Sequence, residues 1–354
     1  MQKYYTRACN FYYGSKARNL IKKKKALPLC GNKDIAFDQI EIISRNNKKT
    51  QTQTINYKNI KNLNNYLKKK VKLDIKKIIN KRKNFFKYIN FSEPTIMGVL
   101  NLTPDSFSDG GKFNRAAMAE KHISKMIASG AKIIDVGGES TRPGSKTINE
   151  NLEWSRISYV LKKLSKKIPI SLDTRKSNIM KKGIKLGVML INDISGLSFD
   201  EETIDVLKKY KIPFVIQHSQ GNPENMQKKP SYKNELLDIY DFFEDKIKFL
   251  RSKGINHNNI ILDPGIGFGK NLKHNMSLLH NVSIFHSLGF PLLVGNSRKR
   301  FIKELSGNND SKFRIGGTIA SAIYLMMQGI QILRIHDVNE TMQSIKVFKK
   351  IINN

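Results

Sequence analysis

Residues 95–111 read T-I-M-G-V-L-N-L-T-P-D-S-F-S-D-G-G, and the change of character at Asn101 sets the reading of the whole chain. The first six residues are apolar and suit a buried strand. Beyond them Pro104 removes a backbone donor, Gly110 and Gly111 permit positive φ, and the polar residues between compete for backbone hydrogen bonds. Neither helix nor strand is favoured there, and Phe107 is the one aromatic. A loop launched in this way from a buried strand either grips a ligand or is an ordinary strand-to-helix turn. The rest of the chain has to decide.

The same rhythm recurs to the C-terminus. Short apolar, β-branched runs end in polar residues at 95–101, 132–138, 169–174, 190–195, 213–218, 260–265, 291–297 and 332–338. Helix-patterned stretches at 116–128, 152–164, 202–210, 236–250 and 317–327 lie between them. Strand and helix in alternation imply parallel strands joined by crossovers. Eight such strands over about 245 residues fit a (β/α)8 TIM barrel, with a doubly wound open sheet as the alternative. Barrel chemistry sits at the C-terminal strand ends. Asn101, Asp135, Asp173, Asn192, His218, Asp263, Lys299, Arg334 and His336 all fall at or just past such an end.

The first quarter has a different composition. The chain carries 63 Lys+Arg against 29 Asp+Glu, a net charge of +34, and residues 1–90 hold 24 of the former and 4 of the latter. A basic excess raises nucleic acid as a partner. Its concentration outside the patterned region, with the richness in Lys, Asn and Ile, favours a solvated surface instead. Residues 1–92 are therefore read as a basic, partly ordered N-terminal extension, with a strand at 35–43, and residues 93–354 as the barrel. A basic, acid-poor N-terminus is also what an organellar transit segment looks like. The expected location is otherwise cytoplasmic. Two cysteines, Cys9 and Cys30, give no disulfide framework and no metal spacing. No apolar run reaches the 18 or so residues that cross a bilayer, so a soluble protein is expected.

The strand-end residues suggest a chemistry. Asp173, Asn192 and Asp263 at one mouth exceed what helix capping requires, and a carboxylate accepting two parallel N–H bonds suits the amino-amide edge of a pterin or guanine ring. Arg334 and His336 are two apart on a strand, so they share a side while Leu333 and Ile335 face the helices. With 297–299 (S-R-K) nearby, they sit where barrels bind phosphate. Residues 137–145 (G-G-E-S-T-R-P-G-S) form a second polar loop beside 101–111. Residues 263–270 (D-P-G-I-G-F-G-K) lack the spacing of a nucleotide loop. Their glycines are read as letting the backbone pass close to a flat ligand, with Phe268 packing on it.

Taken together, the strings at 97–111, 134–145, 191–196 (I-N-D-I-S-G), 262–270, 295–299 (G-N-S-R-K) and 334–338 (R-I-H-D-V) resemble the dihydropteroate synthase family from about residue 95 to the C-terminus. The resemblance implies a transferase joining 6-hydroxymethyl-7,8-dihydropterin diphosphate to 4-aminobenzoate in folate biosynthesis. It implies that Asp173, Asn192, Asp263 and Lys299 hold the pterin, with Phe268 packing. It gives Asn101 a part in binding Mg²⁺ with the diphosphate, and Arg142, Arg334 and His336 the grip on the diphosphate. Thr141, Ser297, Phe107 and Pro143 would border the aminobenzoate, and Asp173, Lys299 and Arg334 would be catalytic. It also implies a homodimer. Two positions depart from the family pattern: Ser219 stands where a pterin-packing Met is usual, and Arg300 where a small residue is usual. The alternatives are a pterin-binding methyltransferase-type barrel, which needs no diphosphate grip, and a catalytically silent or RNA-binding paralogue using the basic N-terminus.

Overall fold

A computed structural model describes residues 2–46, 49–85, 89, 91, 93–103, 112–140, 144–221, 224, 226–307 and 310–353, with residues 112–115 described by backbone alone. From residue 95 the chain alternates strand and helix. The elements are β5 (Thr95–Asn101), α3 (Lys112–Ala128), β6 (Ile133–Gly137), α4 (Glu150–Leu164), β7 (Ile170–Asp173), α5 (Ser177–Leu186), β8 (Leu190–Asp193) and α6 (Thr203–Tyr210). They continue with β9 (Phe214–Gln217), α7 (Glu235–Ser252), β10 (Ile260–Asp263), α8 (Leu272–Asn281), β11 (Leu293–Val294), α9 (Arg300–Ser306), α10 (Ile315–Met327), β12 (Ile332–Ile335) and α11 (Val338–Ile352).

The strands pair in the order β10-β9-β8-β7-β6-β5-β12-β11. A parallel bridge between Leu262 and Leu292 joins the two ends. That closure, with β12 paired to β5 (Arg334 opposite Met97), makes the sheet a barrel and excludes the open sheet. Alternation along each strand builds two cores. Met97, Ile133, Leu190, Val215, Ile261, Leu293 and Ile332 fill the barrel with Ile89 and Phe91. Ile96, Ile134, Leu172, Ile191, Phe214, Ile216, Leu333 and Ile335 pack outward with the helices. Arg334 therefore points inward between two outward apolar neighbours, as its period of two requires. Each buried Leu or Ile contributes about 1.5–3 kcal/mol.

The N-terminal residues depart from the partly ordered extension expected of them. β1 (Lys3–Tyr13) lies antiparallel to β3 (Asn32–Arg45), and β2 (Leu27–Leu29) and β4 (Thr50–Asn56) pair with β3. The helices α1 (Gly14–Lys22) and α2 (Asn65–Ile79) complete the unit. Leu67, Val71, Ile75 and Ile78 of α2 pack with Ala8, Leu29, Phe37, Ile40 and Ile42 in a core separate from the barrel's. The apolar stripe of α2 is hidden in sequence among its lysines, and its start is set by the Asn64 side chain accepting from Leu67 N–H. No helix among the described residues is long and apolar enough to cross a membrane.

Candidate active site

Parallel register places the functional side chains level with one another. Asn101 pairs with Gly137, Gly137 with Asp173, and Asp173 with Asn192. Across the barrel Gln217 pairs with Asp263. Gly137 matters because of what it lacks. A Cβ there would stand 3.4 Å from Asp173 Cβ and 3.6 Å from Asn101 Oδ1, so glycine keeps the strip between those two side chains open.

Above this floor Asn101, Phe268, Ser297, Lys299, Arg334 and His336 line one cavity of about 630 Å³, together with Met226, Gln227, Lys270 and Arg300. Sequence reasoning expected the first six in one place, and the structure brings them together. Asp173, Asn192 and Asp263 lie beneath, each buried. Phe107, Thr141, Arg142 and Pro143 lie outside the described residues.

Arg334 is held more tightly than a free anion grip would be. Its Nε donates to Asp135 Oδ2 at 2.6 Å and its Nη2 to Asp173 Oδ2 at 2.8 Å. Asn192 Nδ2 donates to the same Asp135 oxygen at 3.0 Å. Asp135 was visible in sequence as a strand-end residue without a role; the role is to anchor Arg334 and Asn192. Three buried polar atoms around the mouth, Asp135 Oδ1, Asn192 Oδ1 and Gln217 Nε2, find no partner among the described residues. Buried polar atoms are rarely left so. The two acceptors belong to side chains that are bonded to one another, Asn192 and Asp135.

The electrostatics follow from burial. Desolvation pushes the Asp173 carboxyl well above the usual carboxylate range; Arg334 opposes this and Asp135 adds to it. Burial lifts Asp263 to about 6, against the hydrogen bond from Gly265 N–H and the charge of Lys299. Burial lowers Lys299 to about 8, helped by Arg334 and opposed by Asp263 and Asp173. Lys299 Nζ sits 4.3 Å from the centre of the Phe268 ring, a cation–π contact. Ser297 Oγ accepts from His336 N–H at 3.1 Å and lies 3.1 Å from His336 Nδ1, so it also orients that imidazole.

The glycines of residues 263–270 divide between two tasks. Gly265 and Gly269 have φ of +68° and +60°, and a Cβ on them would lie 2.0 Å from His218 O and 2.5 Å from Gln220 O. Their close approach is to the chain after β9, whereas Gly267, with φ of +84°, lines the cavity beside Phe268, and a Cβ there would stand 3.2 Å from Lys299 Cδ. Lys270 is turned inward, donating to Phe268 O at 2.8 Å and lying 3.0 Å from His218 Nδ1. Burial lowers its ammonium to about 7. Met226 packs with Phe268 and Ile194 and lies next to Ser219, whose Oγ is 4.0 Å from its Sδ. Arg300 is exposed and paired with Glu304 at 2.7 Å, so part of its added charge is offset. Sequence reasoning also missed a buried set beside the mouth. Arg175 Nε donates to Glu139 at 3.0 Å, and Lys176 donates to Glu139 at 3.2 Å and to Glu153 at 2.6 Å.

A barrel with an acid-and-amide floor under a cationic rim defines a class of enzyme, one that holds a flat heterocycle beside an anion. Comparison with known proteins names the class. Residues 97–336 match the family model described as pterin binding enzyme. The dihydropteroate synthase of Escherichia coli (strain K12) is 41% identical over 261 residues, which span 73% of this chain and 92% of that protein. That of Clostridium beijerinckii is 42% identical over 265 residues, 74% of this chain and 96% of the relative. The Yersinia pestis dihydropteroate synthase solved with a sulfonamide drug complex gives a TM-score of 0.71 at 40% identity, covering 75% of this chain and 97% of that one. The Xanthomonas albilineans enzyme in complex with 7,8-dihydropteroate gives 0.67 at 30% identity, covering 74% and 95%. The chain belongs to the pterin-binding enzymes and, within them, to the dihydropteroate synthase family.

Proposed function

We infer that the chain is a transferase joining 6-hydroxymethyl-7,8-dihydropterin diphosphate to 4-aminobenzoate, giving 7,8-dihydropteroate and diphosphate in folate biosynthesis. The observation that carries the reading is one mouth that sets Asp173, Asn192 and Asp263 under Lys299, Arg334 and His336. The methylene C–O bond breaks with its electron pair leaving on the diphosphate oxygen. The arylamine nitrogen forms the new C–N bond, and its proton passes to solvent. The arylamine is neutral near pH 7, so no strong general base is required.

Asp173, Asn192 and Asp263 hold the pterin edge, with Phe268 and Lys299 against its ring. The Asp173 carboxylate stabilises the positive charge that develops on the pterin methylene. Arg334 and His336, with Arg142, hold the diphosphate as it leaves. Ser297, with Thr141, Phe107 and Pro143, borders the aminobenzoate. Arg334 bridges two tasks, fixing Asp173 through one edge while lining the anion pocket.

Among the described residues no three His, Cys, Asp or Glu side chains gather as a metal site. Mg²⁺ brought by a diphosphate needs few protein donors, since phosphate and water oxygens complete its octahedron. Asn101, an amide at a strand end beside the strip opened by Gly137, fits that requirement. The ion, when bound there, would neutralise charge growing on the leaving group.

A homodimer and a cytoplasmic location belong to the same reading. Leu305, Phe313 and Tyr324 are exposed around an apolar cleft of about 730 Å³ bordered by α8, α9 and α10, a surface suited to a second copy. The folding of residues 3–82 against the barrel disfavours their removal as a transit segment. Sedimentation of the native chain and of Phe313→Glu checks the first, and the mass of the cellular protein the second. For the reaction itself, purified chain with both substrates and Mg²⁺ should form 7,8-dihydropteroate and diphosphate in equal amounts. No product under those conditions ends the reading.

A further inference from the structure

Residues 3–82 lie outside the family match, yet charged and buried contacts bind them to one side of the barrel. Three side chains from β1 and β3 converge on α7. Lys3 Nζ donates to Asp241 at 2.5 Å and to Glu244 at 2.7 Å. The Tyr5 hydroxyl lies 3.0 and 3.1 Å from the two Asp241 oxygens, and its buried ring meets Tyr240 edge-on at 5.1 Å. Arg45 donates Nη1 to Asp238 Oδ1 at 2.6 Å and Nη2 to Asp241. A second set fixes the Val282–Leu288 turn: Arg82 Nη2 donates to His286 O at 2.9 Å, and Cys30 Sγ lies 3.3 Å from His286 Nδ1.

The Arg45 contact leads to the site. The other oxygen of Asp238 accepts the N–H groups of Lys233 at 3.0 Å and Asn234 at 3.2 Å, the two residues that enter α7. Just upstream, Tyr232 donates its hydroxyl to Gly269 O at 2.8 Å, and Gln227 Nε2 donates to Gly267 O at 2.6 Å. Met226 packs on Phe268, and both line the cavity. Asp238 is thus held at both oxygens, one by the N-terminal unit and one by the chain that walls the pocket. Among the described residues Lys3 has no direct contact with Asp238: it reaches that residue only through Asp241, which it shares with Arg45, and its other partner, Glu244, pairs with Lys248 of α7.

We propose that residues 3–82 brace the pterin wall: Arg45, through Asp238, fixes the entry into α7 and with it residues 226–232. Arg45 and Asp238 are positioning residues for pterin binding, a role that rests on the reading of the site as a pterin site. The test compares full-length Arg45→Met and Lys3→Met with the native chain. Two quantities are measured, the Kd of the pterin diphosphate and amide hydrogen exchange at residues 226–234. Arg45→Met weakens pterin binding about tenfold, the scale of a coupled contact, leaves KM for aminobenzoate within about twofold, and speeds exchange at 226–234. Arg45→Lys restores part of the loss. Lys3→Met lowers Tm to a similar extent but leaves pterin Kd and exchange at 226–234 as they were. Unchanged pterin affinity and exchange in Arg45→Met, or equal losses in both variants, overturn the brace. Where Arg45→Met does not fold, Asp238→Asn makes the same comparison. If the native chain itself binds no pterin, the reading of the site fails, and exchange at 226–234 still decides the brace.

Discussion

Asp173 meets two opposed demands at the scale of a single side chain. Burial raises its pKa, so its charge is costly in the free site, and Arg334 at 2.8 Å opposes that rise without cancelling it. A carboxylate in a dry site, poised where positive charge will form, acts on the transition state more than on the bound substrate. Asp173→Ala should therefore lower kcat about 10²–10³-fold, the cost typical of losing one preorganised electrostatic group, while pterin Kd rises less than about tenfold. Equal changes in the two would refute the role. Asp173, Asn192, Asp263, Lys299, Arg334 and His336 were legible in sequence because polar side chains at the ends of apolar runs stand out. Asp135, Gln217 and Met226 were not assigned roles. Their parts depend on which neighbour they meet across strands or loops, and spacing along one chain does not encode that.

At the scale of elements, the barrel strands are legible to within a few residues because short β-branched runs ending in polar residues such as Asp, Asn or His recur from residue 95 to the C-terminus. α5, α8, α9 and α11 are implied by the alternation without bounds of their own, and α2 is lost in its lysines. The 263–270 loop shows how one motif can serve two ends. Gly267 lines the cavity, as clearance for a ligand requires, whereas Gly265 packs against His218 O with left-handed φ. Any side chain there meets backbone and also a strained conformation. Gly265→Ala should lower stability by about 3 kcal/mol or more, as strained backbone sites do when filled. A shift of the denaturation midpoint with an unchanged m-value measures this, and a midpoint within error of the native chain would return the glycine to a ligand-facing role.

For the whole molecule, the site is a place where stability is given up and a ligand can restore it. Asp263 has an ordinary pKa of 3.8 and is lifted to about 6 by burial. Below pH 3.8 it is protonated in both folded and unfolded chains and costs nothing. As pH rises from about 4 to about 6, the unfolded chain ionises freely while the folded chain holds its proton. The stability present at the acid end is lost across that window and stays lost above it. The interval corresponds to about 3 kcal/mol at most. Lys299, lowered from 10.5 to about 8, loses stability in the opposite sense as pH falls between those values, so both groups are unfavourable near neutrality. Asp263→Asn keeps the oxygen that accepts from Gly265 N–H at 2.8 Å and removes the titration. Its stability relative to the native chain should therefore rise between pH 4 and 6 by up to about 3 kcal/mol and level off above pH 7. Guanidinium unfolding at matched ionic strength, needed for a chain of net charge +34, gives that difference directly. Pterin affinity of the native chain should increase over the same window as the carboxylate forms to accept the heterocycle's N–H groups. In the Asn variant that increase should vanish; a stability difference flat with pH would show instead that Asp263 is ionised throughout.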